Sequence, residues 1–282
     1  MFQARNRFHI LRSLCLILMS LVVALPALMA QTHVGPQPQG WIAEGTPAAI
    51  GGAAPVWMTS PEGNAVYYAL ERTTVFATPD SSQPYVELDA GEPVDMLRFT
   101  RSWAEVKSSD GARGFVNRDA LTNLWIRISK RSKTVWIHRG ADVEATIPAD
   151  MAYNFFLDKE RRGSRVEPDH WRTPEGLYFV VSKNAQSRFY KAFVLNYPSA
   201  NDARDGLSRG LISEHQYASI LEAEERRTTP PMDTALGGWI EIHGEGTGAR
   251  TTWTRGCVAI KNDAIDALWD TVRIGTPVLI ES

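Results

Sequence analysis

A chain of 282 residues, 44% hydrophobic and 22% charged, has the material for one or two domains with real cores. Its 30 Lys and Arg nearly balance 32 Asp and Glu, for a formal net charge of −2. Without Lys/Arg runs beyond the first segment, this excludes the basic face that a nucleic-acid partner demands. Taken in order, the chain begins with Arg5, Arg7 and Arg12 ahead of the apolar run Leu14 to Met29, and Ala30-Gln31 offers a small-residue cleavage point. Residues 1–30 therefore read as a secretory signal peptide. Leu28 departs from the small-x-small rule, so an uncleaved membrane anchor is the alternative, and Cys15 has no lipobox around it. Removal of this segment leaves Cys257 as the one cysteine, an unpaired thiol in an oxidising compartment.

Residues 31–64 are rich in Gly, Pro, Ala and Thr and read as a flexible linker, with Trp41, Ile42 and Trp57 able to dock on a domain face. From 65 to 122, short alternating runs such as Pro93-Val94-Asp95-Met96-Leu97, Trp103-Ala104-Glu105-Val106 and Gly114-Phe115-Val116 lie between turn signals. Asp110-Gly111 marks a hairpin, and the spacing predicts a small β-barrel. With Val75-Phe76-Ala77-Thr78-Pro79 and Leu88 to Pro93, the segment resembles a bacterial SH3-like domain. That resemblance implies either a module for cell-wall peptide or glycan, or a spacer packed on the C-terminal domain.

Leu124 to Ile128 and Thr134 to His138 predict a hairpin that opens a new sheet, with His138 a solvated residue on its edge. Arg172-Thr173-Pro174-Glu175-Gly176-Leu177-Tyr178 then leads into the apolar Phe179-Val180-Val181. Tyr217, Ile220 and Leu221 stand at helical spacing within Glu214 to Arg227, which Pro230-Pro231 ends. That helix either packs one face on the domain or forms a lid over Cys257. Asn262-Asp263 caps a last helix with Ile265, Leu268, Trp269 and Val272 on one face, and Val278-Leu279-Ile280 is the final strand.

Between these elements lie Ile240-Glu241-Ile242-His243-Gly244 and, after a loop through Gly246 to Ala249, Thr254-Arg255-Gly256-Cys257-Val258. Alternation carries His243 out at the end of a strand, and Gly244 turns the chain back toward Cys257. A free thiol titrates near pKa ~8.5, so an imidazole beside it is the usual route to a nucleophilic sulfur. A backbone carbonyl in the Gly244 turn would orient that imidazole, and the amides around Gly256 would converge on a carbonyl oxygen. Taken alone, Cys257 reads as a buried small hydrophobe. No zinc-type ligand spacing surrounds Cys257 and His243, and Gly244 to Gly248 lacks the Lys of a phosphate loop, so neither metal nor cofactor is expected.

Ile242-His243-Gly244 with Trp253-Thr254-Arg255-Gly256-Cys257-Val258-Ala259 resembles the active-site motif of the L,D-transpeptidase (YkuD-type) catalytic domain, in its murein branch. Thr173-Pro174-Glu175-Gly176 and Leu195-Asn196-Tyr197-Pro198 agree with that branch, so the likeness covers residues 124–281 and implies a catalytic domain over 123–282. It implies a mostly β fold with some α: a YkuD-type β-sandwich with helical insertions, behind the SH3-like barrel. It also implies Cys257 as nucleophile, His243 as proton donor and acceptor, peptidoglycan stem peptides as substrate, and a periplasmic location. The acceptor would be another stem peptide, a wall-linked lipoprotein or water, which separates a transpeptidase from an endopeptidase or carboxypeptidase. Carbapenems acylate the thiols of that family. Arg255 stands where many members have a second His, so Arg255, Tyr190 and Lys191 are the candidates for substrate contact. The reading from another class is an exported wall-binding protein that acts through its SH3-like domain and has lost catalysis.

Overall fold

The computed structural model describes residues 55–282, so the expected signal peptide and most of the expected linker lie outside the described residues. At the end of that linker Trp57 and Met58 are buried, at 6% and 2% exposure, and Trp57 meets Trp125 edge-on at 5.2 Å. Two large apolar side chains this close to a sheet leave water together, which ties residues 55–64 to the fold.

Seven short strands come next: β1 (Val66–Ala69), β2 (Thr73–Phe76), β3 (Pro84–Leu88), β4 (Pro93–Phe99), β5 (Trp103–Ser108), β6 (Arg113–Asn117) and β7 (Leu121–Thr122). They form one antiparallel sheet in the order β3-β2-β6-β5-β4-β1-β7. Alternation works as the sequence suggests: in β5, Ala104 and Val106 are buried while Glu105 between them is half-exposed. Val75, Leu88, Val94, Ala104, Val106 and Val116 make the core of this sheet.

The remaining chain builds a mixed β-sandwich with helical insertions. Its main sheet contains β8 (Leu124–Ser129), β9 (Thr134–Arg139), β10 (Asp142–Pro148), β12 (Gly176–Ser187), β13 (Tyr190–Leu195), β14 (Glu241–His243), β16 (Val258–Ala259) and β17 (Pro277–Glu281). The order is β10-β9-β8-β17-β12-β13-β14-β16, and β11 (Met151–Ala152) pairs separately with β15 (Thr252–Thr254). Helices α1 (Ala200–Ser208) and α2 (Glu214–Glu225) fill the insertion, and α3 (Asn262–Trp269) precedes the last strand. Both insertion helices start on capping boxes, Ser199 with Asp202 and Ser213 with Gln216, which satisfy amides that have no intrahelical partner. Around Ala203, Ile212, Ile220 and Leu236 the two helices share their own small core.

Two local expectations change. His138 is not a solvated edge residue, because β10 extends the sheet beyond β9; it is 8% exposed and stacked on Trp125 at 4.0 Å. The last helix is capped at Lys261, and Asn262 instead accepts the Glu245 amide at 2.8 Å. Strands β14 and β16 are neighbours that run parallel, so the chain between them crosses over through β15.

Candidate active site

Strand β14 carries the imidazole. Ile242 is fully buried in the main core, so its neighbours Glu241 and His243 project from the other face. The register agrees, with Glu241 opposite Val194 and His243 opposite Ala192 on β13. On the other side Ile242 pairs with Val258, which joins the same core. Cys257, one residue earlier, therefore projects onto the face of Glu241 and His243, diagonal to the imidazole across two neighbouring strands.

The geometry around His243 dictates its tautomer. Its Nδ1 lies 2.7 Å from the carbonyl oxygen of Gly244, and a carbonyl can only accept, so Nδ1 bears the hydrogen and Nε2 the lone pair. The ring is 1% exposed, stacked on Phe189 at 4.5 Å and edge-on to Trp253 at 5.9 Å. Burial holds its pKa below the ordinary imidazole value, against the opposing pull of the Gly244 hydrogen bond and Glu245. It is neutral at pH 7.

Cys257 is half-buried, and its Sγ–H donates to the Trp239 carbonyl at 3.3 Å. Burial pushes the thiol up to about 12, helped by the nearby Glu241 carboxylate and opposed by the Glu241 amide and Lys159. Lys159, 7% exposed, is itself pushed down to about 8 by burial and donates to His170 O at 3.3 Å. The resting pair is thus a neutral thiol and a neutral imidazole. Gly256, beside the cysteine, has φ +143 and a backbone packed so closely that a Cβ would lie 2.8 Å from Ile240 Cδ1 and 3.0 Å from Arg172 O. Gly256→Ala is expected to cost about 2 kcal/mol or more, measured by urea unfolding, because both the dihedral and the space exclude a side chain. The Gly256 amide makes only a long bond, 3.4 Å, to Thr254 Oγ1, whose hydroxyl is held by the Cys257 carbonyl at 2.6 Å.

The connection from Gly244 to Thr254 hangs on a residue that the sequence did not single out. Asp150 is 0% exposed, and its carboxylate accepts from Thr247 N at 2.7 Å, Thr247 Oγ1 at 2.9 Å, Thr251 N at 2.9 Å and Trp253 Nε1 at 2.9 Å. Burial alone would raise its pKa, but these four donors outweigh it and hold the carboxyl below the ordinary value. Its backbone also bridges Ala259, two residues beyond Cys257. Phe189, at the β12–β13 tip, supplies the ring stacked on His243. Of the three candidates for substrate contact, Tyr190 and Lys191 both bind Asp266 on α3, at 2.8 and 2.6 Å. Arg255 is exposed, with its guanidinium 4.7 Å above the Trp171 ring. Among the described residues no group of His, Cys, Asp and Glu is arranged to hold a metal ion.

A family model described as the YkuD L,D-transpeptidase catalytic domain matches residues 123–280. No curated protein matches. Among solved structures, the L,D-transpeptidase of Xylanimonas cellulosilytica is 16% identical, with 56% of this chain and 60% of that one covered and a TM-score of 0.34. A Bdellovibrio bacteriovorus protein is 25% identical over 57% of this chain and 49% of its own, with a TM-score of 0.37. The helical cell shape determining protein of Campylobacter jejuni is 18% identical over 57% and 48%, with a TM-score of 0.36. The matches thus span about half to three-fifths of these proteins' own lengths. With more than half of its residues under the family model, the chain belongs to the YkuD family of L,D-transpeptidase catalytic domains.

Proposed function

We propose that this protein is a peptidoglycan L,D-transpeptidase in which Cys257 is the nucleophile and His243 its base. The observation that carries the proposal is the His243 Nδ1 contact with the Gly244 carbonyl, since it leaves Nε2 as a proton acceptor on the face shared with Cys257. As Sγ attacks the carbonyl at the L-centre of a diamino acid in a tetrapeptide stem, its proton passes to Nε2. The C–N bond to the terminal D-Ala breaks, the leaving amine takes that proton from His243, and an acyl-thioester remains. The weakly engaged Gly256 amide is available to the oxyanion. Transfer of the acyl group to an amine of another stem forms a 3-3 cross-link. Transfer to a lipoprotein makes a tether, and transfer to water makes the protein an endopeptidase or carboxypeptidase.

Residues 65–122 are assigned to an SH3-like module, either a wall-binding module or a spacer packed on the catalytic domain, residues 1–30 to a signal peptide for export to the periplasm, and 31–64 to a linker whose end docks through Trp57. The test is incubation of wild type and Cys257→Ala with disaccharide-tetrapeptides and with whole sacculi, read by mass spectrometry. Cross-linked dimers lacking one D-Ala, absent with the variant, are the expected result. Lost cross-links would make the protein a hydrolase. No change with either substrate would sink the catalytic reading and leave a wall-binding protein.

A further inference from the structure

Two residues beside the thiol present groups that the fold itself does not engage, the Glu241 carboxyl and the Trp239 indole. Glu241 is half-buried, next to Cys257 across the β14–β16 register, and its carboxyl has no hydrogen bond or ion pair among the described residues. Burial raises its pKa, and the carboxylate in turn makes the Cys257 thiol harder to ionise, so it opposes the attack expected of that sulfur. Lys159, the cation that lowers the same thiol, is turned to His170 O. Trp239 is the second such residue. Its backbone is left-handed, φ +57, a region that a bulky side chain rarely enters. Its indole is 62% exposed and stacks on no other ring among the described residues. The peptide is nevertheless held at both ends: its amide donates to Met232 Sδ at 2.9 Å, and its carbonyl accepts from Cys257 Sγ.

A half-buried carboxylate without a protein partner among the described residues, on β14, and an exposed indole two residues before it in the chain suit one ligand class. A cation satisfies the carboxylate and is attracted to the face of the ring. We propose that Glu241 and Trp239 form a subsite for a primary ammonium group, the one carried by the acceptor, beside Cys257. This rests on the transferase reading and names its acceptor as an amine. With the acyl group on Sγ, the bound ammonium gives one proton to the Glu241 carboxylate, which returns it to solvent. The freed amine attacks the thioester carbon, the C–N bond forms and the C–S bond breaks, and the second amine proton passes through His243 to the leaving sulfur.

The subsite can be read without catalysis, from the charge preference of the thiol. The full-length wild type, Glu241→Gln and Trp239→Ala are treated with trimethylammonium-ethyl and sulfonatoethyl methanethiosulfonate. Modification of the Cys257 peptide is timed by mass spectrometry and normalised to a neutral methanethiosulfonate and to glutathione. The expected preference of the wild type for the cationic reagent is about tenfold or more over glutathione; it falls to within about twofold of glutathione in Glu241→Gln and about threefold in Trp239→Ala. An unchanged preference in Glu241→Gln overturns the subsite, and because Gln is isosteric the neutral reagent shows whether the pocket is still formed. In parallel, the carbapenem acyl-enzyme is sought by intact mass. Acylation without a charge preference overturns the subsite and leaves the transferase reading standing. A preference without acylation supports the cation subsite and overturns the transferase reading.

Discussion

Replacement of His243 by Gln should lower the rate of Cys257 acylation by a carbapenem about 10³- to 10⁴-fold at pH 7. The reason is the resting state of the pair. With the thiol pushed up to about 12, roughly one molecule in 10⁵ is thiolate at pH 7, so attack depends on a base that takes the proton as the bond forms. His243 can act in this way because burial holds its pKa below the ordinary 6.5, leaving Nε2 unprotonated throughout the neutral range. The pH profiles then separate. In the wild type the rate rises as the imidazolium loses its proton, below pH 6.5, and is flat above it until the thiol itself ionises. In the variant there is no plateau, and the rate climbs about tenfold per pH unit toward the thiol pKa. Acylation rates from pH 5 to 10 for both proteins would measure this. A variant profile parallel to the wild type would remove His243 from the role of base.

The second large effect is expected at Asp150. Its replacement by Ala strands two backbone amides, a hydroxyl and an indole N–H whose common acceptor is fully buried. Each orphaned buried donor costs about 1–3 kcal/mol before relaxation. As the loop can partly open to water, a net loss of about 3–5 kcal/mol in urea unfolding is expected. Acylation of Cys257 should fall with it, since this loop leads into the Thr254 to Cys257 turn. Asp150→Asn keeps one oxygen acceptor and should lose less. The pH dependence has a definite sign. The folded carboxyl sits below its ordinary value, so the folded state releases its proton more readily than the unfolded chain. The stability it contributes is present in full above the unfolded value near ~3.9 and is lost as pH falls through the folded value. Asp150→Asn should therefore be less stable at pH 7 and flatter below pH 4. Equal acid limbs for the two proteins would show that the loop does not depend on the charge.

These two residues differ in how they could be read. His243 and Cys257 announce themselves through local signals: an apolar-polar alternation that ends at a Gly, and a Gly before a lone thiol. Most strands were legible for the same reason, since the period of two that buries one face is written in consecutive residues. Asp150 carries no such signal. It belongs to an element distant in the chain from its partners Thr247, Thr251 and Trp253, and is joined to them through the bridge with Ala259.

By itself, the sequence singled out the proposed Cys257–His243 pair, the turn whose carbonyl meets Nδ1, and the alternating strands, because each depends on neighbours a few positions away. Only the tertiary structure decided that β14 and β16 lie side by side and parallel, which puts Cys257 and His243 on one face. It also decided that β10 covers His138, that Asp266 engages Tyr190 and Lys191, and that Glu241 has no side-chain partner among the described residues while Trp239 is held in a left-handed peptide. These outcomes arise from strand order and from which faces meet, and such contacts are selected by the burial of the whole core, not by any local run of residues.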